Sequence, residues 1–238
     1  MNQVFCPSLP DVGSTLRLDG EERHYLGRVL RARVGEAVRV ADGLGQGRLS
    51  ILRGFEGEAA VLEITAVADD HHEPWGLHLA LCPPRGDAFD QAQEAAVQMG
   101  VQSLSLLKSH RTLANFEGGA LQPARLAKRM QEACRQCERS GVPPVSGPVD
   151  LATYLQHPRP GLRLIASERG GLPLKLAVQG QAPGAEIHAL VGPEGGFGAE
   201  ELSLAVDQGW LAVTLGPRAL RVPVAVAALL AGLRMLQP

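Results

Sequence analysis

Leu190-Val191-Gly192-Pro193-Glu194-Gly195-Gly196-Phe197 closes a short apolar run and precedes a helix-like segment, so three glycines and a proline stand where a strand turns into a helix. Glycine lets backbone N–H groups approach a ligand closely and tolerates positive φ. The helix that follows adds N–H donors without intrahelical partners. A second loop of the same kind, Leu215-Gly216-Pro217-Arg218-Ala219-Leu220-Arg221, follows the next apolar run. Two Gly-Pro loops at the ends of successive strands form a constellation that predicts a ligand cradle.

Outward from these loops, the chain from residue 73 alternates strand and helix signals. Leu77–Cys82, Val101–Leu107, Leu162–Ala166, Ile187–Val191 and Leu211–Leu215 read as strands. Asp87–Met99 reads as a helix with Asp87 as N-cap and Ala92, Ala95, Ala96 and Met99 on one face, the i, i+3, i+4, i+7 spacing of an amphipathic helix. Pro123 opens a helix whose apolar face is Leu126, Met130, Ala133, Cys134 and Cys137, and Pro223 opens a last one. Such alternation predicts a mostly parallel sheet, in which ligands bind beyond the carboxyl ends of the strands. Residues 1–72 read differently. Short β candidates (Val38–Val40, Ala60–Ile64) between Asp42-Gly43, Gly45, Gly47, Gly54 and Gly57 suggest a small barrel or sandwich. The polar His71-His72-Glu73-Pro74 marks the boundary, giving domains 1–72 and 73–238.

Bulk properties narrow the function. No apolar run approaches the ~18 residues that span a membrane, and the start lacks the basic and apolar blocks of a secretory signal. Four cysteines in 238 residues fit a reducing, cytoplasmic setting. The net charge of −2 does not by itself indicate a nucleic-acid binder. Arginine supplies 20 of the 23 basic residues; codon usage explains that bias, and the planar guanidinium also suits phosphate and base recognition. Arg23, Arg28, Arg31, Arg33 and Arg39 cluster against a single acid, Glu36. There Arg23 and His24 beside Tyr25 could grip phosphate and stack on a base. Lys108, His110, Arg111, Arg125, Lys128 and Arg129 form a second basic segment after a strand end. Absence of Gly-Lys-Ser/Thr excludes a Walker-type phosphate loop. Cys134-x-x-Cys137 lacks a second pair and reads as a buried helix face, so no metal is expected.

The two loops resemble the Gly-Pro-Glu-Gly-Gly-Phe and Leu-Gly-x-Arg-Ile-Leu-Arg loops of the RsmE family of 16S rRNA (uridine-N3) methyltransferases, in the SPOUT superfamily. Gly86–Asp90 through Gly100-Val101, Glu132-Ala133-Cys134-Arg135-Gln136, and Arg23-His24-Tyr25-Leu26 with Arg28-Val29-Leu30-Arg31 are similar to further segments of that family. The resemblance implies a SPOUT-type α/β domain with a C-terminal trefoil knot, preceded by a small PUA-like β-barrel that binds RNA. It implies S-adenosyl-L-methionine as cofactor, a homodimer, and methylation of N3 of a uridine in 16S rRNA of the small ribosomal subunit. By the same resemblance, Val191, Gly192, Pro193, Glu194, Gly195, Gly196, Leu215, Gly216, Leu220, Arg221 and Val222 would hold the cofactor, and Arg218 and Arg221 would contact the substrate or its anion. Arg23, His24, Tyr25, Arg28, Arg31, Arg111 and Arg129 would grip RNA. No residue stands out as a general base. The chain departs from the family where Val222-Pro223-Val224 replaces Thr-Glu-Thr and where Arg135 replaces a glutamate. Two other readings are an RNA-binding module that kept the knot and lost transfer, and a phosphate-ligand enzyme, against which the missing Gly-Lys-Ser/Thr counts.

Overall fold

The structure, a computed structural model, describes all residues except 71, 72, 115, 117–120 and 169. It comprises two compact units, the first of residues 1–72 and 131–142, the second of residues 73–130 and 143–238. Sequence reading had assigned 131–142 to the second domain. Their place in the first rests on contacts distant in sequence: the Gln3 amide donates to the carbonyl of Arg139 at 2.8 Å, and the Val142 N–H donates to the carbonyl of Gly43 at 2.9 Å.

The first unit holds β1 (Asn2–Phe5), β2 (Thr15–Leu18), α1 (Gly20–His24), a single π-helical turn over Tyr25–Val29, β3 (Ala37–Ala41), β4 (Gly47–Glu56) and β5 (Ala59–Ala68). The five strands form a sheet in the order β1-β3-β4-β5-β2, with β1 parallel to β3 and the other pairs antiparallel. Alternation puts one side of each strand inward, as with Leu16 and Leu18 in β2. Val4, Leu26, Val38, Val40, Leu52, Leu62 and Ile64 make the core with them.

The second unit runs β6 (Gly76–Leu81), α2 (Asp87–Gln98), β7 (Ser103–Lys108), α3 (Pro123–Gln136, whose last turns belong to the first unit), β8 (Val145–Asp150), α4 (Leu151–Gln156), β9 (Leu162–Ala166), β10 (Leu172–Pro173), α5 (Leu174–Ala177), β11 (Glu186–Val191), α6 (Ala199–Asp207), β12 (Leu211–Thr214) and α7 (Val222–Leu236). Its seven strands make one all-parallel sheet, β10-β12-β9-β11-β6-β7-β8. Central strands are apolar on both sides, as a sheet covered on both faces requires: Ile187–Val191 and Leu79–Leu81 are buried throughout. On one face Ala80, Leu107, Ile165 and Leu190 pack with Leu151, Tyr154 and Leu155 of α4 and Ala205 of α6, around the buried Trp210. α2 and α7 pack together, with Ala92, Ala96, Val226, Leu229, Leu230 and Leu233 fully buried. Gly86, at φ 60°, caps α2 in place of the expected Asp87, which enters the first turn, where a carboxylate suits the helix dipole.

Candidate functional site

The carboxyl ends of β9, β11 and β12 meet at one edge of the parallel sheet and enclose a cleft of about 510 Å³. Such a volume lies in the range of small-molecule sites. The loop after β11 supplies Val191, Gly192, Pro193, Gly195 and Gly196, and the loop after β12 supplies Leu215, Gly216, Arg218 and Leu220, with Val222 at the start of α7. The structure thus gathers most of the residues that the two Gly-Pro loops had singled out. Ala166, Ser167 and Glu168, after β9, complete the wall with Phe197, Ala199, Leu202 and Ala225. Sequence reading missed the Ser167-Glu168 pair, which belongs to neither Gly-Pro loop, although Gly170-Gly171 follow it closely. Its position directly after a legible strand, with that glycine pair close behind, was the available signal.

The glycines are held for specific reasons. A Cβ on Gly192 would lie 3.0 Å from the Phe197 ring. Gly196, at φ 63°, faces the Glu168 carboxyl, which a Cβ there would meet at 3.4 Å. The Gly196 N–H donates to the carbonyl of Pro193 at 2.9 Å, and the Arg111 guanidinium donates to the carbonyl of Gly195 at 2.8 Å. Both ends of the Gly195–Gly196 peptide are therefore fixed. Arg111, expected as an RNA contact, is exposed and also lines the cleft.

Glu194 and Arg221 are not among the described residues lining the cleft. The Glu194 carboxylate accepts the backbone N–H of Arg85 at 2.9 Å, tying the glycine loop to the segment before α2. In this position its carboxylate pins the loop through a backbone N–H. Arg221 is the exposed N-cap of α7, and its carbonyl accepts the Ala225 N–H at 2.9 Å. Glu201 braces the adjoining helix start, accepting the N–H of Gly198 and the N–H of His110, both at 2.8 Å.

In the first unit, His24, Arg28 and Arg31 are exposed, with Arg31 in the left-handed region at φ 52°. Arg23 lies over the Phe55 ring at 5.5 Å. One face of Tyr25 is covered: the Arg135 guanidinium sits 4.3 Å from its centroid and 5.4 Å from that of Phe5, while pairing with both oxygens of Glu22. Arg39 is buried and donates to Asp70 at 2.9 Å and to the Ser140 hydroxyl at 2.8 Å, so it belongs to the packing of this unit. Arg129, in the second unit, pairs with Asp90 at 2.6 Å. Cys134 is buried as expected, its thiol raised to about 12 by burial, whereas Cys137 lies beyond the end of α3 and is exposed. Helical periodicity had carried the buried face one residue past the helix end at Gln136.

A family model described as an RNA methyltransferase domain matches residues 71–234, and one described as an RNA methyltransferase PUA domain matches residues 18–66. The ribosomal RNA small subunit methyltransferase E of Synechocystis is 31% identical over 94% of this chain and 74% of its own length. The Mycobacterium bovis protein of the same name is 28% identical over 98% of this chain and 90% of its own. A crystal structure of ribosomal RNA small subunit methyltransferase E from Neisseria gonorrhoeae bound to S-adenosyl methionine superimposes with a TM-score of 0.88 at 30% identity, covering 100% of this chain and 98% of the other. With family models matching in both parts of the chain and relatives aligned over more than nine-tenths of it, the chain belongs to the RsmE family of small-subunit ribosomal RNA methyltransferases.

Proposed function

We propose that the protein transfers a methyl group from S-adenosyl-L-methionine to N3 of a uridine in 16S rRNA of the small ribosomal subunit. The observation that carries this reading is the cleft at the ends of β9, β11 and β12, in a chain whose Neisseria gonorrhoeae homologue was solved with S-adenosyl methionine bound. The lining suits that molecule. Leu202, Leu215, Leu220 and Val222 offer apolar wall to an adenine ring, and the glycine loops admit close backbone approach. Glu168 offers a carboxylate to a cationic ligand.

When bound, the cofactor would supply a methyl activated by its sulfonium. The chain's own part is to align the acceptor nitrogen with that methyl and to favour the uridine anion left when N3 loses its proton. Arg218, on the cleft rim, and Arg221, two residues beyond Ala219 at the helix start, are the positive groups for that anion. Arg111 holds the Gly195 carbonyl in place while its exposed guanidinium faces incoming RNA. The target base leaves its stack to reach the cleft. His24, Arg28 and Arg31, exposed on the first unit, grip phosphates, with Arg23 beside them. Residues 1–72, joined by 131–142, act as the RNA-binding domain, and the rest of 73–238 acts as the methyltransferase domain of a cytoplasmic protein.

The C-terminal segment is read as a trefoil knot, a rare exception to unthreaded chains. The strand order supports this, because β12 lies across β9 from β11 although it follows β11 in sequence. The working form is read as a homodimer, supported by the exposed apolar side chains Val224 and Met235 of α7, Leu172 of β10 and Leu176 of α5. Calorimetric titration with S-adenosylmethionine, with ATP as control, tests the reading. Binding of the methyl donor alone is expected, followed by label transfer to unmodified small subunits. RNA binding without transfer would replace it with the reading of a knotted RNA-binding module.

A further inference from the structure

Beside the first cleft lies a second, of about 290 Å³, lined by Lys108, Ser109, His110, Asp150, Leu151, Ala152, Glu201 and Leu204. One ridge separates the two. The turn after β7 contributes His110 to the second cleft and Arg111 to the first, and α6 contributes Glu201 and Leu204 to the second and Ala199 and Leu202 to the first. The His110 N–H, donated to Glu201 at 2.8 Å, staples the two sides of this ridge. Ser109, buried, braces the turn by donating its N–H to the Thr112 hydroxyl at 2.9 Å. Glu201 is occupied on both oxygens, by His110 and Gly198, and serves as a brace. Lys108, His110, Asp150 and Ala152 are exposed, and Lys108 and Asp150 stand side by side in the β7–β8 register.

We propose that this second cleft is a subsite for a nucleotide adjoining the methylated one on the same RNA strand. The inference rests on the methyltransferase reading above. An RNA strand that presents one flipped base to the first cleft must carry its neighbour across the ridge. There the Lys108 ammonium and the His110 ring meet the phosphate, and Leu151, Ala152 and Leu204 form an apolar floor for the base. Asp150 accepts a hydrogen bond from an N–H on the base edge, as carboxylates do from the cytosine amino group. The subsite thus sets the sequence around the target, while the first cleft sets the chemistry.

The test uses the full-length protein, unmodified small ribosomal subunits and S-adenosylmethionine. Ala152→Trp fills the second cleft from an exposed position, and its KM for subunits should rise roughly tenfold or more, the loss of about one good base contact. Its calorimetric affinity for S-adenosylmethionine should stay at the wild-type value. Lys108→Ala should lower the slope of log affinity against log salt by about one, the signature of a lost phosphate contact; being at an exposed site, it carries the test if Ala152→Trp does not fold. Wild-type KM in Ala152→Trp together with an unchanged salt slope in Lys108→Ala would overturn the subsite and leave the methyltransferase reading standing. A wild-type protein that neither binds S-adenosylmethionine nor methylates subunits would overturn both.

Discussion

Arg135 offers the sharpest test of how the first unit is held together. Its guanidinium pairs with both oxygens of Glu22 and lies against the rings of Tyr25 and Phe5. The two charged side chains keep 12% and 17% of their exposure. Removing one member of a fully buried pair costs about 3–5 kcal/mol, mainly because the other is left charged without a partner. Residual exposure lowers that here to about 2 kcal/mol, and loss of the ring contacts adds about 1 kcal/mol. Arg135→Ala should therefore destabilise the unit by about 3 kcal/mol, and Glu22→Ala by about 2 kcal/mol, since the guanidinium then keeps its aromatic contacts. The double variant should return a coupling of about 2 kcal/mol. Arg135→Glu should be worse than Arg135→Ala, because it sets a second carboxylate against Glu22. The readout is the opening free energy from amide exchange at Leu30 and Ala32, whose N–H groups bond to the carbonyls of Tyr25 and Leu26 at 2.9 Å each. A coupling below about 0.5 kcal/mol would mark an ordinary surface pair and refute the argument.

Three further outcomes follow from the geometry. Arg31→Gly keeps the left-handed backbone at φ 52° while removing the charge, so RNA affinity should fall with a salt slope lower by about one and no loss of thermal stability; an unchanged slope would remove Arg31 from the RNA surface. Gly192→Ala puts a methyl 3.0 Å from the Phe197 ring and should weaken S-adenosylmethionine binding tenfold or more by moving that wall of the cleft, at about 1–3 kcal/mol of strain; wild-type affinity by calorimetry would count against the cradle. Burial, with the neighbouring His78 and Arg159 charges, lowers the His188 pKa from 6.5 to about 4. Because the unfolded chain takes up this proton and the folded one does not, stability should fall by about 2 kcal/mol from pH 7 to pH 5, and His188→Asn should remove that part of the urea-midpoint shift.

What was legible from sequence follows from what local signals encode. The strands β6, β9, β11 and β12 were readable because each is a short apolar run bounded by glycine, proline or charge. Their shared cleft followed because a parallel sheet puts all its carboxyl ends on one side. β8 escaped because Gly147-Pro148 lies inside it. That dipeptide reads as a turn, yet proline is tolerated on an edge strand, and β8 is the edge of its sheet. Arg39 illustrates the limit of charge counting. Five arginines in one segment looked like a single basic surface, whereas Arg39 lies on the face of β3 opposite the core residues Val38 and Val40 and is covered there by Asp70 and Ser140. The return of residues 131–142 to the first unit was invisible because their partners are distant in sequence, Gln3 lying 136 residues from Arg139 and Gly43 lying 99 residues from Val142.

The two departures from the family pattern bear on whether this chain retains the family's chemistry. Arg135 stands where the family carries glutamate, and Glu22 stands opposite to receive it. The reversed charge is thus matched inside the same unit, and the turn bearing Arg28 and Arg31 keeps its support from Tyr25. At Val222-Pro223-Val224 a hydroxyl and a carboxylate are gone, which removes about 1 kcal/mol for each hydrogen bond they would have made. What replaces them preserves shape. Val222 is buried at 4% exposure and forms part of the cleft wall, and Pro223 lies in the first turn of α7, where its missing N–H costs no helical bond. Pro223 also stiffens the unfolded chain at the point where the helix must begin. Both departures therefore fall where the chain supplies its own local substitute. A chain drifting away from ligand binding would be free to fill the cleft with larger side chains or to lose its glycines. Instead Gly192, Gly195, Gly196 and Gly216 all line an open cleft of about 510 Å³, and the substitutions at its rim exchange hydrogen bonds for packing without closing it.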